Sequence, residues 1–121
     1  VIDNNCMFSP VDPETGKIKY PAHAGDTPLG SGYETHTNTG ITIQGYQLPC
    51  VKEAIEMVKK AALVVPQVRY VGWDVAVTPN GPIIIEGNTY CAHDFWQLPP
   101  HTPDKIGMLP TLKKLVPEYK F

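Results

Sequence analysis

Long apolar runs are missing from this chain. No stretch approaches the ~20 residues that a bilayer-spanning helix needs. Arginine is almost missing too: Arg69 is the single one among ten basic residues, and the lysines are scattered. Ten basic against twelve acidic side chains leave a net charge of −2 and a pI of about 6.1. That balance offers no electrostatic footprint for nucleic acid or an anionic membrane, so neither is expected as a partner. Cysteine is scarce and odd in number: Cys6, Cys50 and Cys91, with no repeated spacing. A secreted disulfide framework would use an even number at higher density, so free thiols in a reducing cytoplasm are the expectation. The start, Val1-Ile2-Asp3-Asn4, lacks the charged and apolar regions of a signal peptide. It also lacks Met, so the natural chain is expected to begin earlier. What remains is ordinary globular material: 121 residues, 42% hydrophobic and 18% charged. That is one domain's worth, residues 1–121, with no room for two cores.

Thirteen prolines and ten glycines punctuate the chain. Two β-like stretches, Val1 to Phe8 and Lys17 to Tyr20, flank Asp12-Pro13-Glu14-Thr15-Gly16, which reads as a reverse turn. Residues 23–40 are polar, rich in Gly and Thr and without period, so a long loop is expected there, with His23 and His36 as exposed imidazoles. Ile41-Thr42-Ile43 alternates like a brief strand. Residues 51–65 carry the helix signal: Val51, Ala54, Ile55, Val58, Ala61, Ala62 and Val65 recur as one buried face between Pro49 and Pro66. Glu56 and Lys60 are placed as an i,i+4 pair on the solvated side. A short terminal helix is expected over 108–116, its body starting near Pro110. The fold class expected is α+β: an antiparallel β-sheet with one long packing helix.

Two β-rich runs, Tyr70 to Thr78 and Pro82 to Glu86, flank Pro79-Asn80-Gly81 and read as a hairpin. A two-residue Asn80-Gly81 loop would need an amide hydrogen from Pro82, which has none. A three-residue loop avoids this, with Pro79 leading a type I turn and Gly81 left-handed in a bulge. The facing pairs expected are then Thr78/Pro82, Ala76/Ile84, Asp74/Glu86 and Gly72/Asn88. The other face, Val71, Trp73, Val75 and Val77 with Ile83 and Ile85, is expected to be core. Like charges directly opposite destabilise a sheet. A divalent cation between Asp74 and Glu86, with the Asn88 amide oxygen, would account for the pair, and such oxygens suit Mg²⁺ where phosphates complete the shell. The solvated face of an edge sheet accounts for the pair equally well. Acid/base work on a sugar by the two carboxyls fits less well, because facing Cβ atoms only ~4.5–5.5 Å apart leave little room.

Val71-Gly72-Trp73-Asp74-Val75-Ala76-Val77-Thr78, the turn, and Ile83-Ile84-Ile85-Glu86-Gly87-Asn88-Thr89 together resemble the C-terminal metal motif of ATP-grasp enzymes. The Gly-Trp-Asp and Glu-Gly-Asn variants are most similar to the sugar-transfer-associated branch (hexapeptide transferase family protein), as are His36-Thr37-Asn38-Thr39-Gly40, Gly45, Leu48-Pro49 and Asp12 to Gly16. The resemblance implies Asp74, Glu86 and Asn88 as ligands of Mg²⁺ (or Mn²⁺), ATP as cofactor, and Arg69 as a phosphate contact. It implies ligation of a small-molecule or sugar/peptide-linked carboxylate to an amine or similar nucleophile through an acyl-phosphate. Two departures accompany it. Thr89-Tyr90-Cys91-Ala92-His93-Asp94 replaces the Pro-Gly turn common after Glu-x-Asn, and no G-x-x-x-x-G-K-[ST] or G-x-G-x-x-G element is present. The chain therefore reads as a C-terminal portion of the catalytic module, inactive alone. Two other classes stay open: a non-catalytic binding or scaffold module with a degenerate ATP-grasp fold, and a zinc or thiol enzyme built on Cys91, His93 and Asp94.

Overall fold

The computed structural model describes residues 6–24, 32–92 and 97–117. Strands β1 (Met7–Phe8), β2 (Ala22–Ala24) and β3 (Gly32–Tyr33) form one antiparallel sheet in that order. Helix α1 (Val51–Ala62) follows, then the antiparallel pair β4 (Gly72–Thr78) and β5 (Gly81–Asn88). A 3₁₀ turn (Pro99–His101) and helix α2 (Leu109–Leu115) complete the described chain. The α+β expectation holds, with two antiparallel sheets rather than one.

The turn at Asp12 forms as its residues dictate. Asp12 Oδ1 accepts the backbone N–H groups of Glu14 and Thr15, both at 2.9 Å. The Thr15 amide above all holds that carboxyl below its ordinary range. Gly16 closes the turn at φ 74°, a left-handed conformation that favours glycine. Lys17 to Tyr20, expected as a strand, makes only isolated bridges, Val11 to Ile18 and Lys17 to Gln47. Within the expected loop over 23–40, part is sheet: His23 and Ala24 lie in β2, paired with β1, and Gly32 and Tyr33 form β3. Ile41 to Ile43 contributes a bridge, Thr35 to Thr42, in place of the expected strand. These corrections share one cause: pairings of one to three residues leave no run of alternation long enough for the sequence to show.

Helix α1 begins after Pro49 and Cys50, the latter at φ 56°. It ends at Ala62 rather than 65, where Leu63 N–H tightens onto Lys60 O (3.2 Å) and Val64 N–H onto Ala61 O (3.0 Å). Pro66 has no N–H to donate to Ala62 O and disfavours helical backbone at Val65, so the helix cannot run on to 65. The 3.6-residue period is right, but the expected buried face is only half-buried and Val65 is exposed. Glu56 pairs with Lys59 at 2.8 Å, an i,i+3 contact, instead of Lys60. Helix α2 opens on Leu109 and Pro110 as expected, and it buries Leu112.

The buried apolar residues among those described are Ala22, Ile43, Leu98, Leu112 and Val116, and the His101 contacts join the β2 region to the C-terminal segment. His23 is buried with them, 1% exposed, with its ring edge-on to His101 at 6.3 Å. His101 stacks on Tyr20, and its Nε2 lies 3.1 Å from Pro21 O. The exposed imidazole expected at position 23 is thus a buried one. No described helix is long and apolar enough to cross a membrane.

Candidate functional site

The hairpin carries Asp74, Glu86 and Asn88, the residues expected from the sequence to hold a metal. Near the turn the pairs are Thr78/Gly81, Val77/Pro82, Ala76/Ile83 and Val75/Ile84. Pro79 and Asn80 alone form the loop, and Gly81 stands at φ 107°. Thr78 braces the turn with its hydroxyl, which donates to Gly81 O (2.7 Å) and accepts from Asn80 N–H (3.2 Å). The expected pairs Thr78/Pro82 and Ala76/Ile84 are therefore off by one residue. A register shift between Asp74 and Val75 then restores the offset. Ile85 is the extra residue, and beyond it the pairs are Asp74/Glu86, Trp73/Gly87 and Gly72/Asn88. Without that bulge Asp74 would face Ile85.

The bulge also rearranges the apolar side chains. Val77, Ile83 and Ile85 were expected in the core, yet they are 46%, 49% and 62% exposed. On the turn side of the bulge Ile84, not Ile83, shares a face with Val75. Apart from its partner β4, the main packing on β5 among the described elements comes from α1.

At the far end, two glycines make room for larger neighbours. A Cβ on Gly87 would lie 2.9 Å from Trp73 Cζ3, so the indole rests directly over that glycine. A Cβ on Gly72 would lie 2.7 Å from Cys91 Cβ and 3.2 Å from its Sγ. Cys91 thus folds back over the strand end that faces Asn88. These contacts help form a hollow of about 310 Å³ walled by Gly72, Trp73, Asp74, Asn88, Tyr90 and Cys91. Glu86 stands beside that wall, across from Asp74, and both carboxylates are exposed. Asn88 Nδ2 donates to Glu86 Oε1 at 3.0 Å. That bond orients the amide and leaves its oxygen as an acceptor. The three residues named from the sequence are brought together. Arg69 is exposed and outside the lining of the hollow.

Among the described residues no group of three or more His, Cys, Asp or Glu converges on one point. The donor set here is two carboxylates and an amide oxygen, which fits a hard, oxygen-seeking divalent cation that also takes ligands from phosphate and water. His93, Asp94, Phe95 and Trp96 lie outside the described residues, and Cys91 is turned onto Gly72.

Sequence reasoning missed the role of Tyr70, whose hydroxyl meets Cys91. Burial first, and then the Cys91 thiol, push Tyr70 up to about 12. The ordinary value is about 10. What Tyr70 contributes to stability is therefore fully present below pH ~10 and is lost as pH rises through about 12. An ultraviolet tyrosinate titration should show one late-ionising tyrosine that Tyr70→Phe removes. A Tyr70→Phe curve superimposable on the wild type would show that this contact does not form.

A family model described as sugar-transfer associated ATP-grasp matches residues 4–114. No curated protein and no solved structure matches the chain.

Proposed function

The chain belongs to the sugar-transfer associated ATP-grasp family, and from that premise we propose that it carries the metal-binding, C-terminal portion of an ATP-dependent ligase. The family brings with it ATP binding and a ligase-like class of function. The finer reading rests on one observation: Asp74 directly opposes Glu86, with Asn88 tied to Glu86 on the same face.

An unneutralised pair of facing carboxylates is unfavourable in a sheet, and a cation reverses the sign of that interaction. Asp74, Glu86 and the Asn88 oxygen would hold Mg²⁺ or Mn²⁺. When bound, the ion would neutralise and align the ATP phosphates, which is most of what phosphoryl transfer asks of a site. Asp74 and Glu86 would set the position of that charge from a rigid strand pair, and Asn88 would fix Glu86 by its amide. Arg69 would add a phosphate contact. The reaction proposed is transfer of the ATP γ-phosphoryl group to a substrate carboxylate. An amine or similar nucleophile then attacks the acyl-phosphate carbon and releases phosphate. The substrate is read as a small-molecule or sugar/peptide-linked carboxylate.

Mn²⁺ titration followed by electron paramagnetic resonance tests the ligand set. Wild-type protein with ATP should immobilise Mn²⁺, and Asp74→Asn should weaken this by at least ~10-fold, since even groups that only support a ligand cost 10–100-fold. Equal Mn²⁺ binding by the two proteins would remove Asp74 from the site.

A further inference from the structure

The tip of the hairpin holds the single Asn-Gly pair in the sequence, Asn80-Gly81, and the metal reading makes no use of it. The backbone nitrogen of the residue after an asparagine can attack the side-chain amide carbon, one reason asparagine counts among the thermolabile residues. A side chain on that following residue hinders the approach, and glycine has none. Three observations expose Asn80 to this attack. It stands in the two-residue loop between β4 and β5 and is open to solvent. Its side-chain amide makes no hydrogen bond among the described residues. Nothing lies within 4 Å of the place a Cβ on Gly81 would take, so the attacking residue is uncrowded. The other described asparagines lack this combination. Asn38 and Asn88 are each followed by threonine, whose branched Cβ crowds the nitrogen. Asn88 also commits its amide to Glu86 Oε1 at 3.0 Å.

One restraint opposes the attack. The Thr78 hydroxyl accepts from Asn80 N–H (3.2 Å) and donates to Gly81 O (2.7 Å), so it holds the peptide units on both sides of the Asn80–Gly81 bond. Ring closure needs rotation about the Asn80 Cα–C bond, which brings the Gly81 nitrogen to Cγ. The turn must therefore let go of Thr78 first. That opening is local, at an exposed hairpin tip, and costs less than global unfolding.

We propose that Asn80 is a site of spontaneous intramolecular deamidation, with the Thr78 hydroxyl setting its rate. The Gly81 nitrogen forms a bond to Asn80 Cγ and gives up its proton. The Cγ–Nδ2 bond breaks, and ammonia leaves with that proton. The product is a five-membered succinimide. Water adds to either of its carbonyls and opens the ring, giving aspartate or isoaspartate at position 80. Water is the only co-reactant, and nothing is oxidised or reduced. Either product adds a negative charge to the turn. Isoaspartate also adds a carbon to the backbone path of a loop that the hairpin keeps to two residues. The modification is independent of the metal reading, because Asp74, Glu86 and Asn88 take no part in it.

Ageing of the wild-type protein tests this without any variant. Folded protein is held at neutral pH, sampled over time and cut with trypsin, which releases Asn80 in the peptide between Arg69 and Lys105. Tandem mass spectrometry should place the amide-to-carboxyl mass gain at Asn80, ahead of Asn38 and Asn88. Electron-transfer fragmentation should show isoaspartate in part of the product. The same chain unfolded in urea supplies the rate without the turn, and it should convert faster than the folded protein. Thr78→Val keeps the branched shape and removes the hydroxyl, so it should speed conversion of the folded protein about fivefold, the worth of one net hydrogen bond. An unmodified Asn80 in the folded protein, over a period in which the urea-unfolded chain converts, overturns the proposal. Conversion at Asn38 or Asn88 ahead of Asn80 overturns it too. An unchanged rate in folded Thr78→Val overturns the role given to that hydroxyl.

Discussion

Glu86→Gln is expected to lower Mg²⁺-dependent turnover of the intact enzyme by more than ~100-fold, because residues that merely support a metal ligand already cost 10–100-fold. Gln keeps the volume and one oxygen of Glu86 but removes the charge that a divalent ion needs. Stability should not fall with activity. In the metal-free protein Asp74 and Glu86 are directly opposed and exposed, so removing one charge removes a repulsion. The melting temperature should stay level or rise. Glu56→Gln is the control: Glu56 sits on the solvent side of α1, bonded to Lys59, and its turnover should match wild type. A Glu86→Gln protein that unfolds, or one that keeps wild-type turnover, would make Glu86 a structural residue.

Gly72→Ala should destabilise the fold by about 1–3 kcal/mol, the usual effect of forcing a methyl group into occupied space. The new Cβ would meet Cys91 Cβ at 2.7 Å and Sγ at 3.2 Å, so Cys91 must move. Cys91 walls the same hollow as Asp74 and Asn88, so Mn²⁺ binding should weaken along with stability. Cys91→Gly removes the obstacle, and the double variant should recover much of the loss, giving a non-additive cycle in urea denaturation. Gly32→Ala provides the contrast, since nothing lies within 4 Å of a Cβ there. Additive effects of Gly72→Ala and Cys91→Gly would show that the two residues do not touch.

The parts legible in the sequence were those governed by local chemistry. The Asp12 to Gly16 turn, α1 from Val51, the α2 start at Pro110 and the positive φ at Gly81 each follow from residues within one turn of each other. The chance that Asp74 and Glu86 oppose each other was also readable, since the strand spacing allowed it. A three-residue loop places the extra residue at the turn, at Gly81, whereas the register shift sits between Asp74 and Val75. Either place changes the offset by one, so the same pair results. What differs is every residue between the turn and the shift, and that is why Ile83 and Ile85 are exposed instead of buried.

The sequence by itself carried the α+β expectation and the lack of any charge footprint for nucleic acid, and its resemblance over residues 66–91 pointed to the family that the matching family model shows. Only the tertiary structure placed His23 in the core, folded Cys91 onto Gly72, joined Asn88 to Glu86 and buried His36 Nδ1 without a partner among the described residues. The difference is one of range. A turn or a helix is decided by backbone preferences over a few residues. The position of a bulge and the burial of a ring depend on which distant segments pack together, and no local pattern records that.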